Sequence, residues 1–329
     1  TLYFVGSRDP TRDTAIAALG MTYSGAVPYF ANITASLYAQ MRQSMTAFER
    51  LLEYLELPQE PERRLKGDPA AGTWPASGSI EFDQVCLRYR VGLPLALDTF
   101  SARIAARERV GIVGRTGAGK STLMLALFRL VDYEAGAVRI DGVEIRSLGL
   151  DATRKAITII PQEPVLFSGT VAHNLDPFEA STEQKREEAI SRARLPASML
   201  SLQVEKGGAN LSAGERQLLC FARAMLQPRP IMMLDEATSN LDSASDDAMQ
   251  KLLRSEFRDL TLLTIAHRLQ TIIDYDSIVV LGKGKLLERD APSVLLATEG
   301  GVLRGLADAL GESAAEDLRA KAGQGHKHK

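Results

Sequence analysis

A short glycine-rich loop has residue types and spacing suited to holding phosphate. Residues 114–121 read Gly-Arg-Thr-Gly-Ala-Gly-Lys-Ser and fit the pattern G-x-x-x-x-G-K-[ST]. The glycines allow successive backbone N–H groups to face phosphate oxygens, and Lys120 adds a full positive charge. The hydroxyl of Ser121 is an oxygen donor suited to Mg²⁺. The loop therefore predicts a site for the phosphates of a nucleotide.

Two carboxylates follow an apolar run further along the chain. Residues 231–234 are Ile-Met-Met-Leu, and Asp235 and Glu236 come directly after them. In phosphate-loop enzymes a strand beside the loop directs its terminal carboxylate toward Mg²⁺. Asp235 is the better candidate for that contact, through a water, and Glu236 could orient and deprotonate an attacking water. Two surface acids at an ordinary strand end would look the same alone, but the phosphate loop favours the catalytic interpretation.

The elements that must position these residues alternate between strand and helix patterns. Runs rich in β-forming residues occur at 80–89, 110–113, 157–160, 231–234, 260–265 and 278–281. Helical patterns lie between several of them, including 121–130 directly after the loop. This alternation predicts an α/β fold with a largely parallel sheet covered on its faces. The stretch at about 164–226 is mostly helical in pattern and is expected to form a separate lobe.

Several further segments resemble the nucleotide-binding domain of ABC transporters. Residues 211–215, Leu-Ser-Ala-Gly-Glu, are similar to the family signature LSGGQ. Gln162 resembles the Q-loop glutamine, residues 239–242 resemble the D-loop, and His267 resembles the switch histidine. Tyr89 stands upstream of the phosphate loop, where the family places an aromatic residue that stacks on adenine. The segments follow the family order across about 79–312. The resemblance implies the fold of a P-loop NTPase (ABC ATPase) with a helical subdomain.

The resemblance can be narrowed to one subfamily. Residues 111–121, 161–170 and 174–178 look like the second nucleotide-binding domain of the C subfamily, the multidrug-resistance-associated proteins. Residues 48–54, Phe-Glu-Arg-Leu-Leu-Glu-Tyr, resemble the end of the last transmembrane helix in those transporters. The resemblance implies an ATPase that couples Mg-ATP hydrolysis to membrane transport of organic anions, conjugates or drugs.

The resemblance also assigns roles to individual residues. Glu236 would be the general base, His267 would touch the γ-phosphate, and Gln162 would contact the metal or the water and report to the membrane domain. Mg²⁺ would be held by Ser121, Gln162 and Asp235. Residues that would contact ATP are Tyr89, Gly114, Thr116, Gly117, Ala118, Gly119, Lys120, Ser121, Thr122, Ser212, Gly214 and Asp242.

In this family ATP lies between two cassettes, so a second nucleotide-binding domain is the expected partner. Ser212 and Gly214 would reach the nucleotide held by that partner. The signature departs from the common pattern by carrying Ala213 and Glu215 in place of Gly and Gln. The carboxylate of Glu215 near another cassette's anion should weaken that contact. In the C subfamily this second signature usually serves the site of low hydrolytic activity, so the resemblance implies two unequal sites, of which this chain's loop and Glu236 form the active one.

The N-terminal region contains no charged residue from Thr14 to Met41. A helix of about 28 residues would reach roughly 42 Å, enough to cross a bilayer with tilt. Polar and small residues in the run favour a helix packed in a bundle over one facing lipid alone. A buried helix of a soluble domain is the alternative, although the resemblance favours a membrane helix, and hence contact with lipid and with transmembrane domains.

These patterns predict a domain order. The end of a transmembrane domain would occupy 1–57, with a membrane helix at about 14–41 and a cytosolic extension. A linker would follow at 58–78, the ABC nucleotide-binding domain at 79–312 and a disordered tail at 313–329. The chain would belong to an integral, multi-pass membrane protein whose nucleotide-binding domain is cytosolic.

The net charge and the cysteine spacing argue against two kinds of partner, nucleic acid and a cysteine-bound metal. The net charge of −2 gives no reason to expect a nucleic-acid partner, and the two cysteines, Cys86 and Cys220, fit no metal spacing. Two alternatives to an exporter stay open. One is a relative in which ATP gates a channel or regulates a partner, and the other is a soluble ABC ATPase. The uncharged run at 14–41 disfavours the soluble protein.

Overall fold

The computed structural model describes residues 10–57, 59–70, 72–235 and 243–325. The chain divides into two compact units, the first ending at Glu60 and the second beginning at Pro61. Of the predicted site residues, Glu236 and Asp242 lie outside the described residues, as does the rest of the predicted D-loop.

The first unit consists of one long helix, α1, which runs from Pro10 to Leu55 and contains Pro28. Threonine hydroxyls back-bond within it: Thr22 donates to the carbonyl of Ala18 at 2.9 Å. Most of the large apolar side chains of α1 are exposed. The apolar side chains of α1 are therefore left largely uncovered within the first unit.

The predicted membrane helix at 14–41 lies wholly within α1, so the helix is confirmed. Its predicted ability to cross a membrane requires correction. Among the described residues, no helix is at once long enough and apolar enough for a membrane crossing. The reason is composition, because polar side chains such as Asn32 and Gln40 and small residues such as Gly20 and Gly25 dilute the apolar character of the run.

The second unit contains twelve strands within its described residues. They are β1 (Ile80–Leu87), β2 (Leu97–Ile104), β3 (Arg109–Gly114), β4 (Ala135–Ile140), β5 (Val143–Glu144), β6 (Ile157–Ile160), β7 (Gly169–Thr170), β8 (Gln203–Val204), β9 (Ile231–Asp235), β10 (Thr261–Ile265), β11 (Ser277–Gly282) and β12 (Lys285–Asp290). All six predicted strand runs are strands. The alternating and short strands β2, β4, β5, β7, β8 and β12 were not predicted.

The central sheet has six strands in the order β12-β11-β3-β10-β9-β6. Its neighbours pair in parallel except β11 and β12, which form an antiparallel hairpin. Strands β3, β9, β10 and β11 are almost continuously buried and correspondingly apolar, as expected for a sheet covered on both faces. The predicted parallel α/β sheet is thereby confirmed.

A second, antiparallel sheet has the order β2-β1-β4-β5. The run at 80–89 therefore belongs to this sheet and not to the parallel one. Its buried side chains, such as Phe82 and Phe100, share one apolar cluster with residues of the central sheet, including Val110 and Leu263. The antiparallel sheet thus covers one side of the central sheet through a common core.

The helices of the second unit are short. Within the described residues they are α2 (Lys120–Leu127), α3 (Leu150–Lys155), α4 (Val171–Leu175), α5 (Glu183–Arg192), α6 (Ala213–Leu226), α7 (Ser243–Glu256), α8 (Pro292–Ala297), α9 (Val302–Asp308) and α10 (Glu312–Gly325). Residues of α4, α5 and α6 form a separate apolar cluster with Leu166 and Val204. This cluster is the core of a mostly helical lobe at 164–226.

The predicted disordered tail at 313–329 is wrong over most of its length. Helix α10 covers Glu312–Gly325, and residues 326–329 lie outside the described part. Ala315, Leu318 and Ala322 are buried, and Leu318 and Ala322 join the main core cluster. Their i, i+3, i+7 spacing places them on one helical face, so packing holds the helix in place.

The predicted linker at 58–78 is bonded to the second unit along much of its length. The Asp68 carboxylate accepts a hydrogen bond from the backbone N–H of Gly149 at 2.7 Å, and the carbonyl of Arg63 accepts one from Asp151 at 2.9 Å. A side chain at Gly149 would lie 2.6 Å from the Arg63 carbonyl oxygen. Glycine there allows this close approach of two backbone segments.

Candidate functional site

The phosphate loop joins β3 to α2, as the sequence predicts. Gly117 and Gly119 have φ values of 79° and 103°, which glycine adopts without strain. A Cβ at Gly119 would lie 2.7 Å from the carbonyl oxygen of Ala96, so packing as well as backbone conformation requires glycine there. Gly119 also precedes the first turn of α2, whose free N–H groups favour an anion.

The Lys120 side chain folds back onto the phosphate loop. It is buried, and its Nζ donates a hydrogen bond to the carbonyl of Gly114 at 2.9 Å. The carbonyl of Arg115 lies 3.5 Å from the same Nζ. The ammonium group is therefore held by two carbonyls of the loop itself.

Tyr89 is connected directly to the start of α2. Its hydroxyl lies 2.8 Å from Oγ1 of Thr122, which is buried in the first turn of the helix. The tyrosine side chain itself is 48% exposed. The bond ties a half-exposed aromatic ring, predicted to stack on adenine, to a residue predicted to contact phosphate.

The strand register brings the remaining predicted residues to the same edge of the sheet. Ile265 in β10 is paired with Ile112 in β3 on one side and with Asp235 in β9 on the other. His267 follows β10 by two residues. Since the strands are parallel, their carboxyl ends meet at the edge from which the phosphate loop leaves β3.

Gln162 reaches that edge from the neighbouring strand. It follows β6 by two residues, and the last residue of β6, Ile160, is paired with Leu234 of β9. Gln162 and His267 are both exposed, and Asp235 is half-buried. The fold thus gathers three polar side chains from three adjacent strand ends beside the loop.

The described residues fit a magnesium ion that is bound together with substrate phosphates. Among them, no three His, Cys, Asp or Glu side chains converge as a metal cluster of their own. The oxygen donors near the loop are the Ser121 hydroxyl, the Gln162 amide and the Asp235 carboxylate. Mg²⁺ characteristically binds through one or two protein carboxylates and completes its shell with other oxygens, from substrate phosphates and water. This donor set matches that preference.

The predicted signature begins α6 with a complete capping box. Ser212 is the N-cap residue, and its Oγ accepts from the N–H of Glu215 at 3.2 Å. The Glu215 carboxylate accepts from both the N–H and the hydroxyl of Ser212 at 2.8 Å. Glu215 is therefore turned back onto Ser212, while Gly214 is buried in the first turn.

Two side chains of α6 hold the segment that contains Gln162. Nε2 of the buried Gln217 lies 3.4 Å from the carbonyl of Pro161. Nε of Arg223 donates to the carbonyl of Asn174 at 2.9 Å, and its terminal nitrogens lie 3.3 and 3.4 Å from the carbonyl of Val165. Sequence patterns did not reveal these bonds, because side chain to carbonyl contacts between distant segments have no periodic signal.

The turn of the β11–β12 hairpin is hydrogen-bonded to the phosphate loop. The N–H of Gly284 donates to the carbonyl of Ala118 at 2.9 Å, and the carbonyl of Gly284 accepts from Asp98 at 2.9 Å. A Cβ at Gly284 would lie 2.7 Å from the carbonyl oxygen of Ala96. This contact was also missed, since the sequence marks Lys283-Gly284 only as a turn.

Comparison with known proteins places these features in one family. Residues 97–239 match the profile of the family described as ABC transporter. Multidrug resistance protein mrp-7 of Caenorhabditis elegans is 45% identical over 82% of this chain, which corresponds to 19% of that protein. The ATP-dependent bile acid permease of Saccharomyces cerevisiae is 38% identical over 91% of this chain and 20% of its own length.

A C-family member and a solved structure agree with these matches. ABC transporter C family member 3 of Dictyostelium discoideum is 42% identical over 94% of this chain and 22% of its own length. A bacterial Atm1-family ABC exporter, solved with ATP bound, superposes with a TM-score of 0.72 at 31% identity, covering 84% of this chain and 49% of that one. The chain spans about a fifth of the length of these curated relatives. It contains an ABC transporter family domain and, over most of its length, is similar to C-family, multidrug-resistance-type members.

Proposed function

We propose that this chain forms the second cassette of a C-family exporter and hydrolyses Mg-ATP to drive transport. The observation that carries the proposal is the strand register, which brings the phosphate loop, Asp235, Gln162 and His267 to one edge of the sheet. Phosphate binding, metal coordination and contact with the γ-phosphate each need a different group at that edge. The three strand ends and the loop supply them.

Nucleotide binding would use the backbone of the phosphate loop and the side chain of Lys120. The backbone of Gly114, Thr116, Gly117, Ala118 and Gly119 would cradle the phosphates of ATP, with the start of α2 adding its partial positive charge. Lys120 would exchange the Gly114 carbonyl for phosphate oxygens. The exchange is favourable because a charge-assisted bond to an anion is stronger than one to a neutral carbonyl. Thr122 would contact the phosphates, and Tyr89 would stack on the adenine.

Hydrolysis needs a metal, a base and a contact to the transferred phosphate. Ser121, Gln162 and Asp235 would hold Mg²⁺, which supplies charge neutralisation at the β- and γ-phosphates. Glu236, next to Asp235 in sequence, would accept a proton from the attacking water. His267 would hydrogen-bond the γ-phosphate.

A second nucleotide-binding domain would complete the site. Ser212 and Gly214 of this chain would reach the nucleotide on the partner cassette, and Asp242 would contact ATP. The Ser212 hydroxyl donates to the Glu215 carboxylate, which is a stronger acceptor than the neutral amide of the glutamine in the common signature, so less of the hydroxyl's donor capacity is available to a phosphate. This sharing supports the proposal of two unequal sites, with the active one formed by this chain's loop and Glu236.

Transport would require the transmembrane domains of the complete protein. Two relatives are described as a multidrug resistance protein and a bile acid permease, which supports organic anions, conjugates or drugs as the substrate class. The exposed apolar side chains of α1 offer surface to pack against those domains. ATP binding would close the two cassettes and hydrolysis would reopen them, switching the access of the membrane domain.

The test is ATP turnover by the complete transporter in lipid, with Glu236→Gln in this cassette. Because the base is lost while the phosphate loop is intact, we expect ATP binding to persist and turnover to fall by at least about a hundredfold. Glu187→Gln, at an exposed position of α5, is the matched control and should leave turnover unchanged. Wild-type turnover in the Glu236 variant would refute the role proposed for that residue.

A further inference from the structure

A cavity of about 690 Å³ lies beside the phosphate loop, between the β11–β12 hairpin and α9. Residues 114–118 form one wall, and Leu281, Leu287, Val302 and Leu306 form most of the other. Its size falls within the range of small-molecule sites, which are typically about 300–1,000 Å³ and mostly apolar. The cavity is therefore large enough for an organic molecule and has the lining to bind one.

This cavity adjoins the proposed nucleotide site and shares Gly114, Thr116, Gly117 and Ala118 of the phosphate loop with it. Its described lining includes none of Tyr89, Lys120, Thr122, Asp235 or His267. It contacts the loop through the residues that precede Lys120, and it extends away from them toward the C-terminal helices. A molecule in the cavity would therefore touch part of the phosphate loop while leaving Tyr89, Lys120, Thr122, Asp235 and His267 uncontacted.

Two cationic side chains line the cavity, and their positive charge favours an anionic ligand. Arg115 and Lys283 both line it and are exposed, and neither side chain forms an ion pair with any described residue. The nearest acid on the hairpin, Glu288, is engaged by the N–H groups of Val302 and Leu303. An apolar wall with two unpaired cations complements a molecule that has an apolar body and one anionic group.

We propose that this cavity binds an amphiphilic organic anion, with its apolar body against Leu281, Leu287, Val302 and Leu306 and its anionic group between Arg115 and Lys283. Occupancy would be sensed by the nucleotide site, because the hairpin that carries Lys283 supports the loop through the bond from Gly284 to Ala118. A ligand that joins Arg115 to Lys283 would link the loop to its support at a second point. The site would thus let an amphiphilic anion adjust the affinity for ATP.

The test uses 11-(dansylamino)undecanoate, a fluorescent amphiphilic carboxylate, titrated into the purified full chain. Gly305 lines the cavity on α9, and a Cβ there would meet nothing within 4 Å, so Gly305→Leu adds side-chain volume to the cavity lining without a backbone contact at its Cβ. Gly323→Leu is the matched control, because Gly323 is also helical with open space around it but lies on α10, outside the cavity lining. ATP affinity of each variant, measured with the same protein, verifies that the cassette is folded.

The proposal predicts saturable binding of one probe per chain, at least tenfold weaker in Gly305→Leu and unchanged in Gly323→Leu. The neutral methyl ester of the probe should bind several-fold more weakly than the carboxylate, and Lys283→Gln should reduce that difference. As a second variant, Val302→Glu adds an anion to the cavity wall and should weaken binding of the carboxylate, whereas the exposed Val294→Glu on α8 should not. If the cavity instead accepts part of a second cassette and no small molecule, the probe should show no saturable binding to this chain alone. That result, or equal binding by wild type and Gly305→Leu, would overturn the proposal.

Discussion

The hydroxyl of Tyr89 lies 2.8 Å from Oγ1 of Thr122. These residues are 33 positions apart in sequence, and the bond joins the antiparallel sheet region to the first turn of α2. It connects the proposed adenine contact to the proposed phosphate contact. The orientation of the ring is therefore set by the same helix that begins at the phosphate loop.

Replacing Tyr89 by phenylalanine tests this connection. The ring is retained, but the hydrogen bond is lost and the buried Thr122 hydroxyl is left without it. A neutral hydrogen bond contributes about 0.5–1.5 kcal/mol, so the Kd for ATP should rise by about two- to tenfold. Equilibrium titration with a fluorescent ATP analogue measures the change.

Two variants at the same positions provide the controls. Tyr89→Ala should bind ATP more weakly than Tyr89→Phe, because stacking of a base on an aromatic ring is worth about 1–3 kcal/mol. Adding Thr122→Val to Tyr89→Phe should cost less than Thr122→Val costs alone, since the two residues share one bond. Fully additive effects in this double-mutant cycle would show that the bond does not contribute to nucleotide binding.

Glu215→Gln tests the origin of the proposed inequality between the two sites. The change removes a negative charge next to Ser212 and frees the Ser212 hydroxyl from a carboxylate acceptor. We expect the affinity of the partner cassette for ATP in the complete transporter to increase by about two- to tenfold. Trapping of labelled nucleotide on each cassette measures this. Weaker binding on the partner would instead mean that the capping box itself positions Ser212 productively.

Arg223→Lys tests whether α6 positions the segment around Gln162. Lysine keeps the charge but cannot reach the carbonyls of Val165 and Asn174 together, because it lacks the guanidinium fork. We expect kcat for ATP hydrolysis to fall several-fold while KM changes little, since the phosphate loop is untouched. Arg258→Lys, an exposed arginine after α7, is the control. A proportional rise in KM with kcat unchanged would contradict a positioning role.

Asp141 anchors the segment that precedes β1, and its ionisation should be visible in acid stability. Burial alone would raise the pKa of Asp141, but hydrogen bonds from Ser77, Gly78 and Ser79 outweigh it and hold the pKa well below its ordinary value. A carboxyl with a depressed folded pKa stabilises the fold fully above its unfolded pKa of about 3.9 and loses that contribution as pH falls further. The thermal unfolding temperature of the wild type should therefore fall below about pH 4.

Asp141→Asn isolates this contribution. The variant should unfold at a lower temperature than the wild type at pH 7, and the difference between the two should shrink as the pH is lowered through about 4 toward 2. The exposed Asp259→Asn serves as a control for general charge effects. A difference that stays constant with pH would show that ionised Asp141 does not contribute to stability.

The sequence predicted the parts of the site that depend on local pattern. The phosphate loop, the strand that ends at Asp235 and the strand before Gln162 are continuous apolar or glycine-rich runs, and all appear where they were expected. The capping box at Ser212 and Glu215 also has a local signal, S-x-x-E before an apolar run, which the resemblance to a signature motif obscured. Strand β12 alternates charged and apolar residues weakly and gave no comparable signal.

Other features depend on long-range packing that no local pattern encodes. Helix α10 has a composition typical of a solvated tail, yet Leu318 and Ala322 reach the core. The bond between Gly284 and Ala118 and the bonds from Arg223 form only because distant segments meet in the fold. Conversely, the helix at 14–41 was predicted correctly as a helix but not as a membrane span, because a lack of charge is not the same as a high apolar content.

The central claim is that the loop at 114–121 binds Mg-ATP through Lys120. The most direct measurement is calorimetric titration of the full chain with Mg-ATP, comparing wild type with Lys120→Met. Methionine retains the length and apolar contacts of the buried stem and removes only the charge. We expect one ATP per wild-type chain and at least about tenfold weaker binding in the variant, with the same circular dichroism spectrum. Equal affinity in the two proteins would contradict the assignment of the nucleotide site to this loop.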